Sequence, residues 1–151
     1  MSDRRWFLGQ LSAVLAVGPA YALAESTGPL VQVYKTATCG CCKQWVKHLR
    51  NAGFTVEATD VTDVSVYKLE YGVPPQLISC HTAIVAGYVV EGHVPADDVI
   101  KMLRQKPDIT GIAVPGMPMG SPGMEGPNAT AFDVIAFNGE GDVYVYATHT
   151  P

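Results

Sequence analysis

Three thiols fall within four residues at Cys39-Gly40-Cys41-Cys42, and no other stretch of the sequence limits the fold as much. The cluster follows a short apolar run, Leu30-Val31-Gln32-Val33-Tyr34. It opens a segment in which Cys42, Trp45, Val46 and Leu49 recur at i, i+3, i+4, i+7. A β-type run before the thiols and a helical period after them read as strand, thiol loop, helix. Cys42 is then the thiol nearest a helix N-terminus, where free N–H groups and the helix dipole favour thiolate. The fourth cysteine, Cys80, is followed directly by His81 at the head of another apolar run. That pair is the natural candidate to face the first cluster.

The N-terminus reads as an export segment and not as part of the fold. Arg4-Arg5 precede a short apolar run, Trp6 to Val17, and Ala22-Leu23-Ala24 supplies the small residues a signal peptidase reads. Cleavage after Ala24 is expected. Arg4-Arg5-Trp6-Phe7-Leu8 resembles a twin-arginine signal, and an ordinary Sec signal would show the same apolar run and cleavage site. The run is short for a bilayer span and Gly18-Pro19 interrupts it, so a permanent anchor is not expected. Residues 1–24 are therefore assigned to the signal and 25–151 to one domain, expected in the periplasm.

Four cysteines in an oxidising compartment ordinarily form two disulfides. Here Cys41 and Cys42 are adjacent and Cys39 is two residues from Cys41, spacings that strain a bridge. Cys39 with Cys42 is the one geometrically ordinary local disulfide, and it leaves Cys41 over. A net charge of −4 with no basic block gives a nucleic-acid partner no electrostatic footing, and a hydrophobic fraction of 48% argues against disorder.

Beyond the first helix, which ends near Asn51–Gly53, Phe54 to Thr59 reads as a strand. Asp60 to Asp63 offers capping side chains to a short segment ending at Tyr71-Gly72, and Val73-Pro74-Pro75 cannot be helix interior. His81 to Val85 and Tyr88 to Glu91, separated by Ala86-Gly87, read as an antiparallel hairpin. Pro95 opens a helix through Val99, Met102 and Leu103, with Asp97 and Asp98 in its first turn and Arg104 late, the polarity a helix dipole favours. The order β-α-β-α-β-β-α predicts an α/β domain of the thioredoxin-like fold. Such a fold normally sets a cis-proline before the third strand, opposite the thiols. Ser79-Cys80-His81 occupies that position here, with Pro74-Pro75 several residues too early, which argues against a general disulfide exchanger.

After Pro107 the composition changes. Residues 112–127 are punctuated by Gly and Pro and are expected to form neither helix nor central strand, yet they hold Met117, Met119 and Met124, three of the five methionines. These either pin the loop to the core as flexible apolar filler or cap a soft-metal site, since thioether and thiolate together prefer Cu(I). Phe132 to Phe137 and Asp142 to Ala147, joined by Asn138-Gly139-Glu140-Gly141, are predicted to form a last hairpin. Residues 111–151 thus read as a loop-plus-hairpin extension.

Zinc is the rival metal: one ion could take Cys39, Cys42, Cys80 and His81, leaving Cys41 without a role. Haem attachment is excluded because Cys42 is followed by Lys43, and no dinucleotide fingerprint is present. His48 is expected on a solvated helix flank and His149 near a free terminus; His93, in a turn after Glu91-Gly92, could close on the site or only cap the next helix, and the turn is favoured; Trp45 is expected in the core.

The CGCC cluster, SCHTAIV at 79–85, EGHVPADDV at 91–99 and GIAVPGMPMGSPGME at 111–125 together resemble the CopG-like family of exported bacterial copper-resistance proteins. The resemblance covers nearly all of the chain after the signal. It implies a thioredoxin-like domain with a C-terminal extension, copper bound through the CxCC thiols, and a role in periplasmic copper homeostasis. On this sequence it marks Cys39, Cys41, Cys42 and Cys80 as copper ligands, with His81 and a methionine among Met117, Met119 and Met124. Cys41 and Cys42, being adjacent, direct their side chains differently, so terminal binding of all three thiolates to one ion is awkward. Bridging is easier, and more than one copper is expected. Three functions follow: a copper-binding protein that stores, relays or changes the redox state of copper, with copper-handling or thiol-redox proteins as partners; a thiol-disulfide oxidoreductase using Cys39 and Cys42; or a disulfide-stapled partner domain.

Overall fold

The computed structural model describes residues 28–151, so the expected export segment lies outside the described residues. Seven strands form one mixed sheet: β1 (Leu30–Lys35), β2 (Thr55–Asp60), β3 (Thr82–Val85), β4 (Tyr88–Glu91), β5 (Gly111–Ala113), β6 (Phe132–Phe137) and β7 (Val143–His149). Their spatial order is β2-β1-β3-β4-β5-β6-β7. The helices are α1 (Gly40–Asn51), α2 (Ser65–Glu70) and α3 (Ala96–Gln105), with a 3-10 turn at Pro75–Leu77. Up to α3 this is the order expected from the sequence.

Period-2 alternation decides which side of the sheet carries the main core. Val31 and Val33 of β1, with Ala83 and Val85 of β3, turn to the side covered by α1 and α3. There α1 buries Cys42, Trp45, Val46 and Leu49, the four positions its period predicts, and α3 adds Val99 and Met102. The opposite face has a smaller cluster of Val73, Leu77, Val89, Ala113 and Phe137. Ala86 and Gly87 both take positive φ, 48° and 86°, as a tight two-residue hairpin turn requires. That turn fixes the β3–β4 register, with Thr82 opposite Glu91.

One expectation is corrected. Residues 112 and 113 lie in a central strand: β5 pairs parallel with β4 and antiparallel with β6. The strand can be so short because both neighbours supply its hydrogen bonds and its three residues are buried. The Gly/Pro punctuation acts only from Pro115 onward. The last hairpin therefore continues the main sheet through β5, and the segment from Pro115 to Thr130 returns across the α1 end of the molecule between two paired strands. Among the described residues no helix is long and apolar enough to cross a membrane.

Candidate metal centre

The thiols are placed by the start of α1. Cys39 is its N-cap residue, and its Sγ accepts from the Cys42 backbone N–H at 3.4 Å. One turn of helix brings Cys42 back beside Cys39, with Cα atoms 5.4 Å apart, and the two are joined as a disulfide. Cys41 and Cys80 are free and half-buried. Cys41 Sγ lies 3.4 Å from Cys39 Sγ, and Cys80 Sγ lies 3.4 Å from Cys42 Sγ. All four sulfurs are within 4.8 Å of one another. The expectation that Cys80 faces the first three thiols is met.

Cys80 also joins the thiols to two imidazoles. Its Sγ is 3.3 Å from His81 Nδ1 and 3.0 Å from His93 Nε2, and these three ligand atoms form a second compact group. Both histidine side chains are fully buried. His93 Nδ1 lies 2.8 Å from the Pro122 carbonyl. A carbonyl can only accept, so Nδ1 carries the proton and Nε2 presents a lone pair toward Cys80. An oriented imidazole of this kind is how metal-binding histidines are commonly held. His81 Nε2 is buried without a hydrogen-bond partner, the only such side-chain nitrogen or oxygen among the described residues. That nitrogen is on the far side of the ring from Cys80, so its lost hydrogen bond is a cost of holding the ring with Nδ1 toward the thiol.

Burial sets the protonation of these groups. It pushes the Cys80 thiol up to about 12, and the nearby Cys41 sulfur adds to the shift. His81 is held well below the usual imidazole range, first by burial and then by His93 and Lys68. Burial lowers His93 too, against the opposing effect of its bond to Pro122. At neutral pH the site therefore offers neutral imidazoles and a protonated Cys80, whose proton a soft cation must displace.

The segment after β5 closes with its backbone on the start of α1 and on His93. At Gly123, φ is +90° and a Cβ would stand 2.7 Å from the Cys41 carbonyl oxygen, 3.0 Å from the Trp45 nitrogen and 3.2 Å from His93 Nδ1. Of the three methionines, Met117 is 51% exposed, whereas Met119 and Met124 are partly buried, with the Met119 methyl over Gly126. The loop's contacts to the site described above come from Pro122 and Gly123.

His93 closes on the site, the alternative to the turn role that the sequence reading favours. The signal was present: extending the hairpin register by two residues beyond Thr82 and Glu91 sets Cys80 opposite His93. His48, expected on a solvated flank, is half-buried and accepts from the Ala96 N–H at 3.0 Å, so it caps α3. His149 is also engaged, 2.6 Å from Asp98 and stacked on Phe132. Trp45 is fully buried as expected, donating to the Val94 carbonyl at 2.8 Å with its ring against His81.

Fold and site define a mixed α/β protein with a cysteine–histidine cluster suited to a metal ion. Residues 77–124 match a family model described as "Protein of unknown function, DUF411". Two solved structures are similar to this chain, both of copper resistance protein CopG. Form 2 has a TM-score of 0.77 and Form 1 a TM-score of 0.76, each at 46% sequence identity over 81% of this chain and 98% of the other. No curated protein matches the sequence. The chain belongs to the family of copper resistance protein CopG.

Proposed function

We propose that this chain is a periplasmic copper-binding protein of copper resistance, with a thioredoxin-like half built on β1 to β4 and copper as its cargo. The observation that carries the reading is the packing of four sulfurs within 4.8 Å, continuous through Cys80 with two imidazoles. Thiolate sulfur is the soft ligand Cu(I) prefers, and sulfurs this close can bridge ions as well as end on them. Once the Cys39–Cys42 disulfide is reduced, Cys39, Cys41, Cys42 and Cys80 hold the metal, His81 and His93 complete it on the β-sheet side, and a thioether from Met117, Met119 or Met124 serves as a cap. Zinc remains the harder-metal alternative at the same thiols.

The site also has a redox capacity of its own. Cys39 and Cys42 as two thiolates can each give one electron to a Cu(II) ion, forming their disulfide and two Cu(I). The disulfide needs two electrons from an external dithiol before the cycle repeats. The second reading, a thiol-disulfide oxidoreductase, is favoured by the Cys39–Cys42 bond at the start of α1. Competition between Cu(I) and Zn²⁺ on reduced protein, run beside an insulin-reduction assay, separates these. Tight Cu(I) binding with little insulin reduction supports the copper reading; rapid insulin turnover with no copper retention supports the second.

A further inference from the structure

Glu91 is fully buried, and its carboxylate is surrounded by donors from both sides of the Cys80-His81 dipeptide. The Ser79 backbone N–H donates to Glu91 Oε1 at 2.7 Å, and the Thr82 hydroxyl donates to Oε2 at 2.6 Å. Lys68, itself buried, reaches in from α2 to Oε1 at 2.6 Å and to the Thr82 oxygen at 3.1 Å. Gly92, with φ +71°, donates its N–H to the His81 carbonyl at 3.0 Å, and a Cβ there would approach the Ser79 side chain and come within 2.7 Å of Val114 O. The segment preceding β3 is thus tied at residues 79, 81 and 82.

We propose that Glu91, held by Lys68, is a positioning residue that clamps the Ser79–Thr82 segment so that Cys80 faces the thiols of α1 and His81 keeps its Nδ1 toward Cys80. The inference rests on the copper reading of the site. Stability alone does not account for the arrangement, because a buried ion pair carries a desolvation penalty that apolar residues of similar volume avoid. The carboxylate's polar partners, apart from the lysine, belong to the two residues that flank Cys80-His81. It therefore supplies outer support to a cysteine and a histidine of the metal site, the kind of partner that orients ligands. The clamp occupies the place where the sequence lacks the proline that thioredoxin-like proteins set opposite their thiols.

The test uses the mature chain with two variants, the apolar pair Lys68→Met/Glu91→Leu and the near-isosteric Thr82→Val. Two readouts are taken on folded, reduced protein: the alkylation rate of Cys80 relative to Cys41 without metal, and Cu(I) affinity by competition with a chelator. The proposal expects Cys80 to alkylate severalfold faster with Cys41 unchanged, and Cu(I) affinity to fall by about tenfold, the scale typical of losing an outer partner. Wild-type Cys80 reactivity and wild-type affinity in a folded variant overturn it. If the apolar pair does not fold, Thr82→Val decides by the same two measurements. Wild-type protein that fails to retain Cu(I) contradicts the copper reading, while the alkylation rates still judge the clamp.

Discussion

Cys80 Sγ and His93 Nε2 lie 3.0 Å apart, although 13 residues separate them in the chain. The hairpin between β3 and β4 makes the contact, and the Pro122 carbonyl fixes which nitrogen faces the sulfur. The candidate metal centre therefore has a nitrogen side as well as a sulfur side, joined at Cys80.

His93→Asn keeps an N–H to satisfy the Pro122 carbonyl and removes the nitrogen that faces Cys80. It is expected to lower Cu(I) affinity by about tenfold or more, at least what losing an outer partner does. His93→Ala is expected to lose stability in addition, because the partly buried Pro122 carbonyl loses its donor. Chelator competition and urea unfolding of the two variants check the difference.

Cys41 is half-buried and outside the disulfide, so the near-isosteric Cys41→Ser is expected to shift unfolding free energy by no more than about 1 kcal/mol, the usual scale of a point change. Copper stoichiometry is expected to fall, because the thiol left over by the Cys39–Cys42 pair is the one a bridged site needs. Copper analysis of anaerobically loaded protein gives the answer. Unchanged copper content would return the cluster to a redox pair with a spare thiol.

Gly123→Ala forces a side chain into a left-handed backbone position already within 2.7 Å of the Cys41 carbonyl. A loss of about 1–3 kcal/mol is expected, as for comparable backbone strain, with weaker copper binding as the loop lifts from Cys41 and His93. Urea unfolding of metal-free protein and a copper competition assay measure both.

The buried histidines give a pH dependence of definite sign. His48, His81 and His93 all have lowered pKa values in the fold, each chiefly from burial, against an unfolded value near 6.5. As pH falls below about 6.5, the unfolded chain takes up protons that the folded one refuses, so metal-free stability falls with acidification. Urea unfolding at about pH 7 and pH 5.5, above the usual carboxylate range, checks this. Equal or greater stability at the lower pH contradicts neutral buried imidazoles.

Much of this was legible in the sequence because its signals are local. The four buried positions of α1, the tight Ala86-Gly87 turn and the Cys39-x-x-Cys42 spacing each follow from period, φ preference or helix geometry. Cys80 reads as facing the thiols because it opens the apolar run expected to lie across the site. What was not legible depends on packing between distant segments. β5 looked like loop because three buried residues give too little period to read, and its neighbours come from residues 88–91 and 132–137. Lys68 and Glu91 look like ordinary surface charges until α2 is laid across the sheet. His93 could have been placed by counting the register outward from the turn, whereas Pro122 and Gly123 closing on it could not. The thioether ligand among Met117, Met119 and Met124 stays a proposal from residue chemistry.

Reduced Cys39, Cys41, Cys42 and Cys80 are expected to bridge more than one copper ion. The direct test is copper X-ray absorption on reduced protein loaded anaerobically with Cu(I), together with copper per chain. More than one copper per chain, copper bound mainly by sulfur with some nitrogen, and copper-copper scattering are expected. One copper per chain with no copper neighbour, or no retained copper, contradicts the bridged site.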